Sequence, residues 1–489
     1  DNYTDHNGGG GSIAYNSLPY FENCLIENNI ITINGRGAGI YFEDSSGTVN
    51  NCQILGNQNQ GEISSGGGGL ALWISDIIVD DSIISGNSAT FEGGGFYLKQ
   101  NSTITISNSV ISENIAQKGG GIYSFESDGL NITSSDILAN SATSSHGGGI
   151  YVAYSPGGVT IDSTQISSNI ANEDGGGLYL FEPDIFHTYN PSSVNNTIIE
   201  SNISGDGGGI YFENCNDVTV NNSSINSNQA GNGIGSLPER LGGGIYVNNS
   251  KLNLYNSTIQ TNISSEAGGG IAYLGSDSLQ TLTNCKVLDN QSDYGGGIYG
   301  HGSPNDIYFK IENTEVTGNF STNHGGGMKF LWSRGNINNS IISHNTSDFG
   351  GGISFMHNTH SNNLWYLNNC TLYGNTANIG GGLGIDTSPM IYLINTILWE
   401  NTIDQIYTFY GSANTIYSDI QGGWTGIGNI DSDPIFVDSN DGNFNLQAGS
   451  PCIDSGNPES EYDPDDTVAD MGAYYFHQSF GCTDSLALN

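Results

Sequence analysis

The sequence predicts an all-β solenoid in which about 14 short coils stack into a parallel β-helix. A glycine-rich phrase, DGGGIYFENC at residues 206–215, recurs in related form fourteen times at intervals of 25 to 35 residues. A second phrase, ending in asparagine, occurs once in each interval, and the apolar residues between the phrases alternate with polar ones. Recurrence at this period is typical of repeat proteins whose units bury their apolar faces only against their neighbours.

The apolar residues within each unit have a period of two, which indicates strands with one buried face. Ile210 and Phe212 flank Tyr211, and Val218 and Val220 flank a threonine. No long stripe with a helical period occurs, so we expect no helices in the body of the repeats. Each unit is expected to hold two or three short strands, stacked on the next unit at a spacing of about 4.8 Å.

The glycine and asparagine positions predict the corners of the coil. Glycine provides backbone angles that other residues resist and lets neighbouring coils approach closely. The second phrase has the form of residues 108–114, NSVISEN, and its last asparagine is present in every repeat. Asparagine tolerates left-handed geometry, and its amide can bond both up and down a stack.

Composition limits the partners of the chain. There are 49 acidic and 9 basic side chains among 489 residues, a formal net charge of −40. Such a surface disfavours binding to nucleic acids and to anionic membranes. No apolar run reaches the ~18 residues of a membrane-spanning helix, and no signal peptide is visible at residue 1. We therefore expect no membrane insertion of this segment.

The repeats occupy residues 1–401 and open in the middle of a coil, because Asn2 precedes the first glycine run at the spacing that Asn87 has from Gly93. Residues 402–476 are rich in aspartate and include Asp-Pro-Ile-Phe at 433–436, Ser-Pro-Cys-Ile-Asp at 450–454 and Asp-Met-Gly-Ala-Tyr at 470–474. This segment resembles the one that closes right-handed parallel β-helices in many secreted bacterial proteins. The resemblance implies a right-handed helix with a C-terminal β cap.

Two further resemblances concern export. Gly-Gly-Gly-Ile together with Ile-x-x-Asn, as at residues 225–228, resembles the paired motifs of polymorphic outer-membrane proteins. Residues 477–489 are expected to be a linker and the start of a Cys-bearing module that is similar to one in bacterial proteins with a type IX secretion signal. These resemblances imply a protein outside the cell or on its outer surface, where Cys452 and Cys482 could form a disulfide.

A tyrosine often follows the glycines at the second position, which is expected to face outward. Six successive coils carry it, at Tyr97, Tyr123, Tyr151, Tyr179, Tyr211 and Tyr246. In parallel register these would form an exposed aromatic ladder about 25 Å long. Such a strip could bind sugar rings or a protein, or the rings could simply cover each other and stiffen the strands.

Carboxylates flank this predicted ladder. Asp174 and Asp206 precede the glycines in adjacent coils, and Glu213 follows them, so like charges are brought together. Calcium takes oxygen ligands and is the cofactor that these residues suggest. Asp463, Asp465 and Asp466, in the cap segment, could hold a second cation. The alternative for both groups is a solvated surface on an acidic protein.

The enzyme alternative rests on residues 324–334, HGGGMKFLWSR. Lys329 replaces the ladder tyrosine and Arg334 follows closely, while His324, His301 and His344 would add titratable groups nearby. Polysaccharide lyases of this fold use a cationic base, often with calcium. A glycosidase would instead need two carboxylates about 5–10 Å apart, which Asp174, Asp206 and Glu213 could supply.

The sequence therefore favours an extracellular structural or adhesive protein with a tyrosine-lined face, and leaves a polysaccharide-active lyase or glycosidase as the alternative. The expected partners are a polysaccharide, a cell-surface protein or further copies of the chain. Fold alone does not choose between these functions.

Overall fold

The stack of coils dominates the architecture. A computed structural model describes residues 2–61, 65–182, 189–231, 241–275, 278–302, 307–356, 364–387 and 390–478. Its strands form four parallel sheets, which we name A to D in the order in which a coil visits them, and each strand pairs with the equivalent strands of the coils before and after it. Sheets B, C and D have 15 strands each and sheet A has 12, close to the predicted number of coils.

The strands of sheet A are Tyr3–Thr4, Ile30–Ile31, Gln58–Asn59, Ser88–Ala89, Ile115–Ala116, Ser141–Ala142, Ile170–Ala171, Ile203–Ser204, Gln229–Ala230, Ile263–Ser264, Gln291–Tyr294 and Phe320–His324. The strands of sheet B are Gly11–Ala14, Ile40–Glu43, Leu70–Trp73, Phe96–Lys99, Ile122–Phe125, Ile150–Ala153, Leu178–Phe181, Ile210–Glu213, Ile245–Asn248, Ile271–Leu274, Ile298–His301, Met328–Leu331, Ile353–Met356, Leu383–Asp386 and Ile406–Thr408.

The strands of sheet C are Tyr20–Glu22, Ser46–Asn50, Asp76–Asp80, Thr103–Ser107, Gly129–Thr133, Val159–Asp162, Ser192–Asn195, Val218–Asn221, Leu252–Tyr255, Leu279–Thr283, Ile307–Glu312, Ser333–Asn338, Leu364–Asn368, Met390–Ile394 and Ala413–Ile416. The strands of sheet D are Leu25–Glu27, Gln53–Leu55, Ile83–Ser85, Val110–Ser112, Asp136–Leu138, Gln165–Ser167, Ile198–Glu200, Ser224–Asn226, Thr258–Gln260, Lys286–Leu288, Glu315–Thr317, Ile341–Ser343, Thr371–Tyr373, Ile397–Trp399 and Asp419–Ile420.

Most coils thus contain four strands, so the expectation of two or three was wrong. The missed strands are those of sheet A, most of which have two residues and are too short to show a period of two. No α-helix occurs among the described residues, as predicted, and the single 3-10 turn is Ser439–Asp441 in the cap. In the described part of the chain, no helix has the length and apolar character needed to cross a membrane.

One continuous apolar core runs the length of the stack, built from the inward residues of sheets B, C and D. The inward positions are mostly isoleucine, leucine and valine, but larger rings fill the later coils. Trp365 is fully buried, packs its ring 4.3 Å from that of Phe330, and donates its indole N–H to the Ser333 carbonyl at 3.0 Å. The indole nitrogen is thereby satisfied within the apolar interior.

The asparagine that ends the second phrase forms a buried ladder, as predicted. Asn169 is representative: its Nδ2 donates to Asn202 Oδ1 at 3.0 Å and to the Ile137 carbonyl at 2.9 Å. Its Oδ1 accepts the backbone N–H and the Nδ2 of Asn140, at 2.9 and 3.0 Å. Each amide therefore ties three successive coils and leaves no polar atom of this corner unpaired.

The cap does not only close the end of the stack but also folds back along it. Its antiparallel hairpin, Phe436–Asp438 with Asn443–Leu446, packs Phe444 against Ile341 and Tyr373 on the outer face of sheet D. The Ala473 N–H donates to Thr371 Oγ1 at 3.0 Å. Outward isoleucines of sheet D are more than 40% exposed at Ile83 and Ile198, so the cap supplies the cover that the last coils need.

Candidate functional site

The predicted tyrosine ladder exists, but it is buried. The six tyrosines align in register on the outer face of sheet B, as expected. Their exposed fractions lie between 0 and 6%, which contradicts the expected open strip. Successive ring centroids lie 4.7–5.5 Å apart, and four of the five pairs are nearly parallel. Mutual stacking, the alternative considered for these residues, describes their contacts.

The cover comes from the residue that precedes each glycine triad. His146 stacks on Tyr179 with centroids 4.6 Å apart, and Lys118 places Nζ 4.9 Å from the centre of the Tyr151 ring. At Gly66 a side chain would collide with Tyr97, since a Cβ would lie 2.3 Å from that ring. The outer face of sheet B is therefore an interior, and burial raises the pKa of Tyr97 to about 12.

The carboxylates near the ladder have protein partners. Asp174 and Asp206 are bridge partners in adjacent coils, but His146 Nδ1 lies 2.9 Å from Asp174 Oδ2, and Asp206 Oδ1 accepts the Leu241 N–H at 2.7 Å. Glu213 Oε2 accepts the hydroxyl of Tyr179 at 2.5 Å. The described residues contain no group of three or more histidine, cysteine or acidic side chains placed to hold a metal ion. The calcium site stays a prediction.

The cap aspartates are used largely to fix backbone. Asp463 Oδ2 accepts the Asp470 N–H at 2.9 Å, and Asp465 Oδ2 accepts the Gln478 N–H at 2.6 Å. Burial raises the pKa of Asp463 to about 6. Asp466 lies in the same turn, where its N–H donates to the Asp463 carbonyl at 2.9 Å. Cys452 is buried with a free thiol, and its proposed partner Cys482 lies outside the described residues.

Lys329 occupies the ladder position, between Tyr299 and Ser354 in register. It is 6% exposed, and its Nζ lies 3.8 Å from the centre of the Tyr294 ring. Burial lowers its pKa to about 8. No carboxylate forms an ion pair with it in the described part of the chain, where the lysine pairs are Lys251–Asp217, Lys286–Glu315 and Lys310–Glu312. A desolvated amine of this kind can accept a proton near neutral pH.

His324 lies beside Lys329, whereas the other predicted members of this group do not. The His324 ring stacks on Tyr294 at 5.8 Å, and burial and then Lys329 lower its pKa. His301 packs its ring 4.9 Å from that of Trp332 at the corner between sheets B and C. The expectation that His344 joins the group was wrong, because it lies after sheet D, next to Tyr373 and Phe444 of the cap contact.

Arg334 lies on sheet C, on a different face from Lys329. It is exposed and pairs in register with Tyr308, and its guanidinium carbon lies 5.9 Å from the centre of that ring. In the next coils, Tyr366 and Tyr392 pair in register and stack with centroids 4.9 Å apart at 11°. We name the outer face formed by Tyr308, Arg334, Asn336, Tyr366 and Tyr392 the sheet C platform.

The aromatic residues of this platform are partly exposed, unlike those of the ladder. Asn336 is fixed by a hydrogen bond from its Nδ2 to the Tyr308 hydroxyl at 2.9 Å. Sequence reasoning missed Tyr366 and Tyr392 because they follow no glycine triad. The available signal was the alternation in residues 364–368, LWYLN, and 390–394, MIYLI, where tyrosine takes the same outward position.

Comparison with known families defines the class of the chain. A family described as right handed beta helix region matches residues 22–182 and, in an overlapping match, residues 94–309. The two matches together cover more than half of the 489 residues. The chain belongs to this family of right-handed β-helices. The hand that the cap segment implied is thereby supported.

Two other comparisons say little about this β-helix protein beyond its family. No curated protein matches its sequence. Among solved structures, pectate lyase Pel9A matches with a TM-score of 0.36 and 15% sequence identity, over 82% of this chain and 88% of that one. At so low a TM-score, the substrate and reaction of that enzyme have no bearing on this chain.

Proposed function

We propose that this β-helix protein is an extracellular structural and adhesive element that binds a polysaccharide through the sheet C platform. The observation that carries the proposal is the partly exposed, parallel pair of rings at Tyr366 and Tyr392. Rings that project from adjacent strands of a flat sheet present a surface on which successive sugar rings can pack. Their neighbours in the sheet hold them in place, so little side-chain freedom is lost on binding.

Polar groups beside these rings support the same ligand class. Asn336 pairs in register with Tyr366 and offers an amide already oriented by Tyr308. Arg334 is exposed and has no carboxylate partner among the described residues, so its donors can reach hydroxyl or acidic groups of a glycan. The excess of acidic side chains on the protein argues against a nucleic acid as the polyanion that Arg334 would meet.

The extracellular assignment has its own support. The family match and the cap segment agree with the β-helices of exported bacterial proteins that the sequence resembles. A repeat stack of this length offers a long rigid surface without a deep enclosed centre, which suits attachment to an extended polymer. Export by a type IX pathway is part of this proposal and rests on the C-terminal resemblance alone.

The platform is tested with Tyr366→Ala combined with Tyr392→Ala. We expect binding to a responsive polysaccharide, from a panel of neutral and acidic polymers tested by affinity electrophoresis and calorimetry, to weaken at least tenfold. The matched control is Tyr462→Ala, which removes a tyrosine that is 60% exposed in the cap. Thermal melting should confirm that all variants fold. Unchanged affinity in the double variant would exclude the sheet C platform as the polysaccharide-binding surface.

A polysaccharide lyase is the second candidate, and the buried amine of Lys329 with its lowered pKa favours it. In that case Lys329→Ala should abolish the release of unsaturated products while the polymer still binds. Lys118→Ala is the matched control, since Lys118 also lies over a tyrosine ring of this face. If the unaltered protein binds the polysaccharide but does not cleave it, the lyase is excluded and the adhesive function is retained.

A further inference from the structure

A second candidate site lies at the corner between sheets B and C, in the coils that precede the platform. Four corner residues, Ile74, Gln100, Glu126 and Tyr154, follow successive strands of sheet B, each with a φ between 51° and 54°. Together with Asn101 and Tyr189 they line a cavity of about 330 Å³, which we name the corner groove. This volume lies at the lower end of the range for small-molecule sites.

The apolar wall of the groove is a fixed aromatic ring. Tyr154 is 37% exposed, and its ring lies 5.2 Å from that of Phe125 and 5.5 Å from that of Phe181, at 52° and 87°. Contacts on two sides hold the ring, while part of it faces solvent. Ile74 is 46% exposed in the same groove. A ligand with an apolar face can therefore pack on Tyr154 without first ordering it.

Three polar side chains of the groove are available to a ligand. The side chains of Gln100, Asn101 and Glu126 make no hydrogen bond to any described residue. The two amides offer donors and acceptors, and the carboxylate accepts two further hydrogen bonds. This set beside an aromatic ring matches the alternating hydroxyl and C–H groups of a sugar.

The charge of the groove selects among sugars. Glu126 is its charged lining residue, and the basic side chain of Lys99, next to Gln100 in the chain, lies over the Phe125 ring, with Nζ 5.0 Å from the ring centre. An acidic sugar would meet this carboxylate within a protein of formal charge −40. A neutral sugar would meet hydrogen-bond partners without repulsion.

We infer that the corner groove binds a neutral saccharide residue, stacked on Tyr154 and hydrogen-bonded by Gln100, Asn101 and Glu126. This site is separate from the sheet C platform, which lies on strands from Ile307–Glu312 onward. Its ligand would be one or two sugar units rather than the extended chain proposed for the platform. The inference does not depend on that proposal.

The test uses matched sugars that differ only at C6: glucose with glucuronate, and galactose with galacturonate, with mannose and N-acetylglucosamine as further neutral probes. Binding to the full chain is measured by saturation-transfer NMR and calorimetry. We expect at least one neutral sugar to bind, and at least tenfold more tightly than its acidic counterpart. Tyr154→Ala should weaken this binding at least tenfold, whereas Tyr154→Phe should retain most of it.

Glu126→Gln keeps the size of the side chain, removes its charge, and should narrow the difference between each neutral and acidic pair. Tyr462→Ala, at an exposed tyrosine of the cap, is the control that should leave sugar binding unchanged, and Tyr366→Ala reports any sugar binding at the platform. The inference is overturned if no neutral sugar binds, if acidic sugars bind equally well, or if Tyr366→Ala rather than Tyr154→Ala removes binding. Thermal melting of each variant shows that a loss of binding is not a loss of fold.

Discussion

Basic side chains in this protein lie over aromatic rings more often than beside carboxylates. Among the described residues five do so: Arg36 over Trp73, Lys99 over Phe125, Lys118 over Tyr151, Lys329 over Tyr294 and Arg334 over Tyr308. With 49 acidic residues available, ion pairs would be the simple expectation. For Lys118 and Lys329 the rings are preferred because the outer face of sheet B is aromatic and covered, so a cation there gains from the ring faces and not from water, whereas Arg334 lies over Tyr308 on the exposed face of sheet C.

Lys329 should make stability depend on pH in a defined window. Its pKa is about 8 in the folded protein and near 10.5 when unfolded, so the unfolded chain binds more protons between these values and stability rises with pH there. From about pH 8 to 9.5, we expect the free energy of unfolding to rise by about 1–2 kcal/mol relative to Lys329→Met. Urea unfolding at both pH values measures this, and equal pH dependence in both proteins would refute it.

The upper limit of that window is set by the tyrosines. Burial holds the pKa of Tyr123 and Tyr151 above the ordinary value of 10. Their contribution to stability is present below about pH 10 and is lost as the pH rises further, because the unfolded chain then releases protons that the folded chain keeps. The comparison is therefore made below pH 10.

Tyr151→Ala should act on stability rather than only on binding. Tyr151 is 6% exposed and stacks between Tyr123 and Tyr179. Removing its ring leaves a cavity, and we expect a loss of about 3–5 kcal/mol in the free energy of unfolding. Tyr462→Ala, at a 60% exposed site, should change it by less than about 0.5 kcal/mol. Equal losses in denaturant unfolding would show that the ladder is not an interior.

At the scale of elements, the glycine column allows sheets A and B to meet without side chains between them. At Gly148 an added Cβ would lie 2.5 Å from the Gly176 carbonyl oxygen and 2.5 Å from the Ile170 carbonyl carbon. Both are backbone atoms, which cannot rotate away as a flexible side chain can. The column therefore sets how closely successive coils stack at this corner.

Gly148→Ala should accordingly be severe, whereas Gly11→Ala should not. No atom lies within 4 Å of a Cβ added at Gly11, a first-coil glycine that pairs in register with Ile40. We expect the first change to lower stability by about 3 kcal/mol or more and the second by less than about 1 kcal/mol. Thermal and urea unfolding compare them, and similar midpoints would contradict the close approach.

The attachment of the cap to the stack of coils should weaken as the pH rises from 5 to 7. Asp419 is fully buried, accepts the Cys452 thiol at 3.2 Å, and has its pKa raised by burial to about 6. A folded pKa above the ordinary 3.8 means that this contribution to stability is fully present below about pH 4 and is lost as the pH rises through about 6.

Hydrogen exchange of residues 413–478 measures this effect. We expect the cap amides to be better protected at pH 5 than at pH 7, after correction for intrinsic exchange, and the difference to shrink in Asp419→Asn. The variant keeps a side-chain oxygen for the Ser432 N–H, which now donates to Asp419 Oδ1 at 3.1 Å. The same pH difference in both proteins would place the titrating group elsewhere, with Asp463 the next to test.

At the scale of the whole molecule, one apolar core and one buried asparagine ladder hold together a rod with a formal charge of −40. Repulsion among these charges opposes folding, and salt screens it over about 10 Å at 0.1 M. The rod should therefore melt at higher temperature as ionic strength rises.

Calcium should raise the melting temperature further. Asp174 and Asp206 are bridge partners in adjacent coils, and a divalent ion can neutralise two carboxylates at once. Melting is compared in chelator and in millimolar calcium at the same ionic strength. An unchanged midpoint would leave these carboxylates as hydrogen-bond acceptors without a calcium role.

The sequence alone determined the fold, because each repeat specifies its own corners and core positions through residues that are close in the chain. The spacing of Asn140, Asn169 and Asn202 fixes the register of successive coils, and a period of two fixes which side chains enter the core. The prediction failed for Tyr151 and Tyr179, because alternation tells only that a side chain leaves the core. Alternation does not tell whether another part of the chain covers that outward side chain.

Only the tertiary structure decided what lies on the outer faces. It places His146 over Tyr179, brings Tyr294 against Lys329, and sets Tyr366 beside Tyr392 from different coils. It also folds the cap onto sheet D, where the sequence indicated only an end to the stack. Contacts of this kind join residues of different segments or coils, so their chemistry depends on how the coils stack and not on the repeat that specifies each coil.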